Sequence, residues 1–244
     1  MSTSDHAPIL EVSDLSAGYG ETTIIRQIDL VVGNGETVVV IGPNGHGKTT
    51  LLRAISGLIR LRSGAIIFDG ELVADPRPEY VAAQGLVHVP QGDHLFPDLT
   101  VEENLAMGAF PRRAWRDRAT AFEQVYSRFP TLYERRRQSA STLSGGERRQ
   151  VALGRGLMRR PRLLLIDEPS LGLAPIVMDT VYDAIAEIAA GGTPILLVEE
   201  NLEHVQELAV RVHVLEMGRI VRTGTASDLA ADETVARSYL GTLS

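Results

Sequence analysis

The chain has 244 residues, 44% hydrophobic and 23% charged, and a net charge of −7, which is typical of one large globular domain and argues against a nucleic-acid partner. The absence of cysteine excludes disulfides, thiolate metal sites and cysteine nucleophiles. No segment reaches the ~20 apolar residues that span a bilayer, and residues 1–10 lack the regions of a signal peptide, so the sequence predicts a soluble intracellular protein.

The first ninety residues predict strands around one helix. Alternating or continuous apolar residues indicate strands at ILEVSDL (9–15), IIRQIDLVV (24–32) and TVVVIG (37–42). The next segment, KTTLLRAISGLIRL (48–61), has the apolar spacing of a helix, and SGAIIFDG (63–70) returns to the pattern of a strand.

The middle of the chain, about residues 91–160, predicts a helical lobe. Its apolar residues recur at helical spacing, and prolines interrupt them. Residues 112–162 contain fourteen arginines and four acidic residues, a surplus of ten positive charges. We interpret most of these arginines as a solvated surface; the alternative is a lobe that faces anionic lipid headgroups or an acidic partner.

The remaining residues predict an α/β core that resumes after the lobe. RLLLIDEPS (162–170) and TPILLVEEN (193–201) have the apolar runs of buried parallel strands, with a helix near 176–190 between them and a hairpin over 211–225. The order predicts a single domain of fold class α/β, with a P-loop core at about 1–90 and 161–244, an N-terminal antiparallel β-subdomain and the helical lobe at about 91–160.

A phosphate-binding loop lies between the third strand and the first helix. Gly42 to Thr49 match G-x-x-x-x-G-K-[ST] without a mismatch, in the required strand and helix context. Lys48 is the only lysine among 24 basic residues, and a compact ammonium suits terminal phosphates. The Thr49 hydroxyl would ligate Mg²⁺, whereas His46 has no obvious duty. The nucleotide-binding residues predicted here are Gly42, Pro43, Asn44, Gly45, His46, Gly47, Lys48, Thr49 and Thr50.

Two further segments carry chemistry. Asp167 and Glu168 end an apolar strand, where Asp167 would hold Mg²⁺ and Glu168 would orient and polarise an attacking water as the catalytic base. In LSGGERRQ (143–150), Ser144, Gly145 and Gly146 precede a helical pattern, which is the layout of a helix N-terminus that meets an anion. The chain therefore has two phosphate-facing turns.

These motifs, in this order, resemble those of ATP-binding-cassette (ABC) ATPases over nearly the whole chain, with LSGGE as the family signature. The resemblance implies a RecA-like core and ATP hydrolysis with Mg²⁺. Tyr19 in GYG resembles the aromatic residue that stacks on adenine, and Gln91 in VPQGD resembles the catalytic-site glutamine that touches Mg²⁺ and opens the helical lobe. Taken singly, Tyr19 is as easily a strand-end residue and Gln91 a surface amide.

The resemblance also implies partners. Two cassettes, identical or different, pack head to tail in this family, so that Ser144, Gly145 and Gly146 would cap the γ-phosphate held by the partner. The cassette would act at the cytoplasmic face of the cell membrane, bound to transmembrane permease subunits and indirectly to an extracytoplasmic solute-binding protein. Leu95, Phe96 and Leu99 could line the dock for a permease helix or could be the lobe's own core.

Departures from the common pattern narrow the family. In EPSLGLAP (168–175), Ala174 stands where most cassettes have Asp. With TVEENLAMGAF (100–110) and ILLVEEN (195–201), this form resembles the second, shorter ATPase of branched-chain amino acid importers. VPQG is similar to urea importers, which keeps a urea or amide importer as an alternative. The other alternative is a non-transport ABC ATPase that acts as a nucleotide-dependent assembly module.

Glu200 is the departure that bears on mechanism. Most cassettes place there a His that donates to the γ-phosphate, and the resembling subfamily has Gln. A carboxylate donates only when protonated, and it adds repulsion beside Glu168 and a phosphate. Either Glu200 is protonated or turned away, or this nucleotide site turns over poorly. His204 is interpreted as a lone histidine on a helix surface.

Overall fold

The N-terminal part forms an antiparallel sheet. A computed structural model of the chain describes residues 7–73, 77–110 and 112–232. The order of strands in this sheet is β2-β1-β4-β5. Their bounds are Leu10–Tyr19 (β1), Thr22–Val32 (β2), Leu61–Phe68 (β4) and Glu71–Leu72 (β5).

A second sheet has six strands in the order β10-β9-β3-β8-β7-β6, and all pairs are parallel except the final hairpin β9–β10. Strands β3, β7 and β8 are buried at every position, which accounts for their continuous apolar sequences. The bounds are Thr37–Ile41 (β3), Leu86–Val89 (β6), Leu163–Asp167 (β7), Ile195–Glu199 (β8), Arg211–Glu216 (β9) and Arg219–Gly224 (β10).

Helices cover both faces of the six-stranded sheet. Helix α1 (Lys48–Ile55) follows β3, and α8 (Pro175–Ala190) connects β7 to β8; α2 (Pro78–Ala83) and α9 (Ala226–Ala231) are short. The segment between β6 and β7 contains α3 (Val101–Gly108), α4 (Arg112–Arg116), α5 (Arg118–Arg128), α6 (Pro130–Glu134) and α7 (Gly145–Leu157). In the described parts of the chain, no helix has the length and apolar character needed to cross a bilayer.

Two apolar clusters follow from the alternation of side chains along the central strands. Val38 and Val40 of β3 belong to the cluster shared with the antiparallel sheet and α1. Val39 and Ile41 belong to the other cluster, which includes residues of α3, α5, α7 and α8. Because successive strand residues point to opposite faces, one central sheet supports both clusters. The predicted α/β P-loop fold with antiparallel and helical parts is confirmed.

Side-chain hydrogen bonds cap the N-termini of two helices in the middle segment, α3 and α7. At α3, Thr100 Oγ1 accepts from Glu103 N, and Glu103 Oε2 accepts from Thr100 N. The same reciprocal arrangement joins Ser144 and Glu147 at the start of α7. Each pair satisfies N–H groups that the first turn of a helix leaves unpaired.

The arginines of the middle segment are not all solvated. Arg116, Arg137 and Arg148 are exposed, as the charge pattern predicts. Arg149 is 3% exposed and contacts Asp93 instead of solvent. For this residue the interpretation as a solvated surface is wrong. Helix α7 packs between the rest of the lobe and the sheet, and this packing buries one face of α7.

Two histidines, one buried (His213) and one half-buried (His88), predict acid sensitivity. Burial lowers the pKa of His213, and that of His88, from 6.5 to about 4. The unfolded state therefore binds more protons between pH 6.5 and pH 4, so the stability is full above pH 6.5 and is lost as the pH falls through this window. The unfolding free energy of the wild type should therefore fall between pH 7.5 and pH 5. We expect the fall to be about 2 kcal/mol smaller in His213→Gln.

Urea unfolding at the two pH values measures this difference. Gln at position 213 retains an acceptor for the Thr223 hydroxyl, to which His213 Nδ1 is hydrogen-bonded at 2.8 Å. The matched control is His94→Gln, because His94 is exposed and its removal should leave the pH dependence unchanged. Equal losses in the wild type and His213→Gln would contradict the assignment.

Candidate functional site

The predicted site residues follow the carboxyl ends of neighbouring parallel strands. Gly42 follows β3, Gln91 follows β6 after one proline, Glu168 follows β7 and Glu200 follows β8. Because these strands are parallel, their carboxyl ends share one edge of the sheet. Ligands in open α/β sheets bind at this edge.

The glycine-rich loop requires glycine at two positions. A Cβ atom at Gly42 would collide with the carbonyl oxygen of Leu215. Gly47 has a φ of 111°, and a Cβ there would lie 2.8 Å from Cγ2 of Ile25. The loop thus passes close to two other strands and enters α1 through a left-handed residue, which keeps its backbone N–H groups accessible to an anion.

Lys48 begins α1 at the end of this loop, and the residue is 3% exposed. Its Nζ donates to the carbonyl oxygens of Gly42 at 2.6 Å and Pro43 at 3.2 Å. The same ammonium is 2.9 Å from Oε1 of Glu168. A buried ammonium requires such partners, because an unpaired charge in the interior is strongly unfavourable.

Glu168 connects the loop to Gln91. Its Oε2 accepts from Nε2 of Gln91 at 2.8 Å, so both carboxylate oxygens have partners. The backbone of Glu168 is left-handed, with a φ of 43°. Such a conformation costs a non-glycine residue about 1–3 kcal/mol and persists only where the surroundings hold it. Glu168 N donates to Val198 O at 3.0 Å, and Leu171 N donates to Glu168 O at 3.2 Å.

Asp167 and Thr49 fit a magnesium site. Thr49 Oγ1 donates to Asp167 Oδ1 at 3.1 Å, while Asp167 Oδ2 is buried without a hydrogen-bond partner among the described residues. Burial raises the pKa of Asp167 to about 6; the Thr49 hydrogen bond opposes this rise and the charge of Glu168 adds to it. An unsatisfied carboxylate oxygen beside a hydroxyl oxygen matches the oxygen ligands that Mg²⁺ prefers.

Glu200 faces the phosphate loop. Its Oε2 accepts from Nδ2 of Asn44 at 3.1 Å, and the residue is exposed. The alternative in which Glu200 is turned away is therefore wrong, because the loop amide supplies a donor that a carboxylate can accept. An acidic group lies beside the loop where a phosphate would bind.

Two histidines differ from their interpretation. His46 has a structural duty: its Nδ1 accepts from Met217 N at 3.3 Å, and its carbonyl accepts from Gly218 N at 3.0 Å. These bonds hold the loop against the β9–β10 turn. His204 lies in a turn, not on a helix, and stacks on Tyr182 with ring centroids 5.0 Å apart.

Tyr19 ends β1 beside helix α1. Its side chain is 42% exposed, and its hydroxyl accepts from Nη1 of Arg53 at 3.1 Å. Arg53 is in α1, the helix that begins at Lys48. Tyr19 therefore presents an accessible ring near the helix that follows the phosphate loop.

Ser144, Gly145 and Gly146 are separate from this cluster. Ser144 Oγ donates to Oε2 of Glu147 at 2.8 Å, and no described hydrogen bond joins residues 144–146 to the loop 42–50. A Cβ on Gly146 would lie 2.5 Å from Cγ1 of Val177, so close packing against α8 requires glycine there. Hydrogen bonds and one ion pair join the predicted site residues around Lys48, which are Gly42, Pro43, Asn44, Gln91, Glu168 and Glu200. Thr49 and Asp167 bond to each other, and no described hydrogen bond joins Tyr19 or residues 144–146 to this cluster.

Sequence reasoning missed a buried carboxylate, Glu199. The residue is 4% exposed, and its Oε1 accepts from Tyr182 Oη at 2.5 Å and Ser170 Oγ at 3.0 Å. Its Oε2 accepts from Glu200 N at 3.2 Å. Burial raises the pKa of Glu199, and these hydrogen bonds oppose the rise. The only sequence signal for this residue was an acidic residue at the end of the apolar run ILLVE (195–199). Its partners Ser170 and Tyr182 are distant in sequence, so the pattern did not reveal them.

The loop after Gln91 is held by arginines of α7. Arg148 Nε is 3.0 Å from Oδ2 of Asp93, and Arg155 donates to the carbonyl oxygens of His94 and Asp93 at 2.7 and 3.2 Å. Arg149 Nε lies 3.5 Å from Asp93 Oδ1, an ion-pair distance without hydrogen-bond alignment. Burial lowers the pKa of Arg149, while the charges of Asp93 and Glu199 oppose the change.

The predicted dock is divided between surface and core. Phe96 is 45% exposed, whereas Leu95 packs against the core cluster and Leu99 is partly buried. A groove of about 360 Å³ lies between the six-stranded sheet and the helical segment, and its lining does not include Leu95, Phe96 or Leu99. Its lining includes Leu58, Val81, His88, Met107, Arg155 and Arg159.

Comparisons with known proteins agree with this geometry. Residues 25–171 match the family model described as ABC transporter. The chain belongs to the ABC transporter ATPase family. The cassette is 40% identical to the high-affinity branched-chain amino acid transport ATP-binding protein BraG of Pseudomonas aeruginosa, over 96% of this chain and all of that protein.

Two more comparisons support the assignment. The probable branched-chain amino acid transport ATP-binding protein LivF of Archaeoglobus fulgidus is 34% identical to the cassette, over 96% of this chain and 99% of that protein. A solved structure of the ADP conformation of MJ1267, an ATP-binding cassette of an ABC transporter, is 25% identical, with a TM-score of 0.83 and coverage of 97% and 100%. The cassette is an ATPase that couples ATP hydrolysis to transport.

The buried carboxylate of Asp167 predicts a stability gain when it is neutralised. Because its folded pKa is raised from 3.8 to about 6, ionised Asp167 destabilises the fold above pH 6 and has no such effect below pH 4. Without nucleotide, we expect Asp167→Asn to raise the unfolding free energy by about 3 kcal/mol at pH 8 and by about half as much at pH 5. Urea unfolding at both pH values measures this.

The same variant tests the magnesium assignment. In the presence of ATP, added Mg²⁺ should raise the thermal midpoint of the wild type by more than that of Asp167→Asn, which keeps Thr49 and Gln91 as predicted ligands. An equal Mg²⁺ response in both proteins would show that Asp167 is not a ligand.

Proposed function

We propose that the cassette is the ATP-hydrolysing motor subunit of an importer for branched-chain or other hydrophobic amino acids. The observation that carries this solute class is the 40% identity to BraG over the full length of that protein, together with the similarity to LivF. Relatives named for lipopolysaccharide export and glutamine transport are less identical than BraG, at 32% and 34%. The glutamine-transport relative equals LivF in identity but covers 88% of this chain, against 96% for LivF. Direction and solute both rest on these similarities.

The cluster around Lys48 would bind and hydrolyse ATP. Residues 42–50 would wrap the phosphates with backbone N–H groups, and Tyr19 would stack on adenine. Lys48 would exchange its carbonyl partners for phosphate oxygens, which are stronger acceptors for an ammonium. This exchange would release Glu168 from its ion pair, so that its carboxylate could orient and polarise the attacking water.

Mg²⁺ would be held by Thr49, Asp167 and Gln91. When bound, the ion would neutralise charge that develops on the phosphate oxygens. Gln91 reaches this part of the site through its hydrogen bond to Glu168. Its backbone leads directly to Asp93, which the α7 arginines hold. Gln91 would therefore move together with the helical lobe. We place this lobe at about residues 91–160 of the single domain 1–244.

The groove that Leu58, Val81 and Met107 line would receive a helix of a transmembrane permease subunit. Leu58 and Met107 are exposed apolar side chains, and Pro90 of the same lining directly precedes Gln91, so the groove lies next to a predicted residue of the nucleotide site. The cassette would thus be peripheral, at the cytoplasmic face of the cell membrane. An extracytoplasmic solute-binding protein would deliver the solute to the permease.

A second cassette would complete the nucleotide site. Residues 144–146 have no described hydrogen bond to the cluster around Lys48 of their own chain, yet they start a helix of thirteen residues whose N–H groups favour an anion. A head-to-tail pair, with an identical or a related cassette, would set this turn against the γ-phosphate held by the partner. ATP would then stabilise the interface, and hydrolysis would release it.

Transport tests the proposed solute. The cassette, assembled with its permease subunits and binding protein in vesicles, should drive ATP-dependent uptake of leucine and show no uptake of urea or glutamine. Urea uptake without leucine uptake would favour the alternative importer. ATP turnover that no permease assembly stimulates would favour the non-transport module.

Replacement of Glu168 tests the catalytic base. We expect Glu168→Gln to lower turnover by at least about 100-fold while retaining ATP, because the amide keeps the shape but accepts no proton. The variant should elute as a dimer of cassettes with Mg²⁺ and ATP and as a monomer with ADP in size-exclusion chromatography. Glu123→Gln, at an exposed helix position, is the control. Normal turnover in Glu168→Gln would show that the base is another group.

Replacement of Glu200 tests whether its charge limits turnover. Glu200→Gln keeps an acceptor for Asn44 and removes a negative charge near the phosphates. A like-charge contact at an exposed position is worth at most about 1 kcal/mol, so we expect turnover to rise by up to about fivefold. Steady-state rates at saturating ATP measure this, and a rate below that of the wild type would contradict it.

A further inference from the structure

Glu199 is a buried carboxylate without a part in the proposed phosphate chemistry. It is the last residue of β8 and precedes Glu200. Its Oε1 accepts three hydrogen bonds, from Ser170 N at 3.3 Å, Ser170 Oγ at 3.0 Å and Tyr182 Oη at 2.5 Å. Its Oε2 accepts one from Glu200 N at 3.2 Å. Such saturation of a buried acid indicates a fixed position.

The donors tie Glu199 to the turn that carries Glu168. Ser170 is two residues beyond Glu168, and Leu171 N closes the turn onto Glu168 O at 3.2 Å. The turn 168–171 therefore has one bond within itself and two from Ser170 to Glu199. On the other side, Glu168 N donates to Val198 O, the residue before Glu199. The end of β8 thus holds this turn from both sides.

The backbone of Glu168 makes this support necessary. A φ of 43° is unfavourable for a residue with a Cβ, and it persists only where neighbouring groups fix it. In this conformation the Glu168 carboxylate meets Lys48 at 2.9 Å and Gln91 at 2.8 Å. Loss of the anchor at Ser170 would let the turn relax toward an ordinary conformation and would move the carboxylate.

We propose that Glu199 is a positioning residue for ATP hydrolysis, which holds the turn 168–171 so that the Glu168 carboxylate stays aimed at the phosphate site. Glu199 acts through Glu168 and does not contact the nucleotide. This inference rests on the proposed role of Glu168 as the base. Tyr182 of α8 is the third member of the arrangement, because its hydroxyl shares Oε1 with Ser170.

Arg149 extends the arrangement to the helix that begins with residues 144–146. The guanidinium is 3% exposed, and its charge interacts favourably with both Asp93 and Glu199. Asp93 follows Gln91 by two residues, and Arg149 Nε lies 3.5 Å from its Oδ1, so this buried cation joins α7 to the loop after Gln91.

Glu199→Gln is the decisive variant because it keeps the shape. An amide presents NH₂ in place of one oxygen, so either Glu200 N or Ser170 N loses its acceptor. We expect kcat to fall by about 10- to 100-fold, since small displacements of a catalytic group have effects of this size. The KM for ATP and the affinity for an ATP analogue should change by less than about twofold, because no nucleotide contact is removed.

Two companion variants separate positioning from general damage. Tyr182→Phe removes one donor and leaves both Ser170 bonds, so kcat should fall by only a few-fold. Glu207→Gln, an exposed acid in the segment after β8, should leave kcat unchanged. Circular dichroism and thermal midpoints establish that each protein is folded. If Glu199→Gln does not fold, Tyr182→Phe decides, and an unchanged kcat there overturns the proposal.

A double variant tests the route through Glu168. Without the Glu168 carboxylate there is nothing for Glu199 to position, so Glu168→Gln/Glu199→Gln should be no slower than Glu168→Gln alone. A multiplied loss, a change in KM alone, or a kcat within twofold of wild type in folded Glu199→Gln would overturn the inference. A wild-type chain without ATPase activity would overturn the proposed function as well, whereas normal turnover in Glu199→Gln leaves that function intact.

Discussion

The nucleotide site depends on one buried ion pair, between the ammonium of Lys48 and the carboxylate of Glu168. Removing two charges from water is costly, so both ends need further partners. Carbonyl oxygens of the glycine-rich loop supply them for Lys48, and the amide of Gln91 supplies one for Glu168. Three segments that are far apart in sequence are thereby fixed at one point.

The sheet makes this meeting possible. Strands β3, β6, β7 and β8 are parallel and buried, so the chain brings the residues after each of them to the same edge. At this edge of the sheet, Gly47 and Glu168 both have positive φ values. Such conformations persist only where the surrounding structure holds them, and the packed strands next to the loop and the turn supply that support.

Patterns that depend on local sequence were sufficient for most of the fold. Continuous apolar runs predicted β3, β7 and β8 because these strands are buried on both faces, and the serine of LSGGERRQ precedes a helix that the structure contains. The phosphate loop could be read directly, because its glycines and Lys48 form a contiguous motif. The roles assigned to the individual site residues remain predictions.

Features that depend on contacts with residues distant in sequence could not be predicted from the sequence. The direction of the Glu200 side chain follows from Asn44, the duty of His46 from the β9–β10 turn, and the burial of Arg149 from the packing of α7. Glu199 was overlooked for the same reason, because Ser170 and Tyr182 reach it from another strand end and another helix. Each is a polar group whose role depends on tertiary contacts.

The central claim is that a triphosphate is held between Lys48 of one cassette and residues 144–146 of another. Its most direct test is a structure of the Glu168→Gln chain, with its partner cassette, bound to Mg²⁺ and ATP. The account predicts the γ-phosphate beside Lys48 Nζ, with Ser144 and the N–H groups of Gly145 and Gly146 from the second cassette on its other side. A nucleotide-filled assembly in which residues 144–146 are remote from every triphosphate would contradict it.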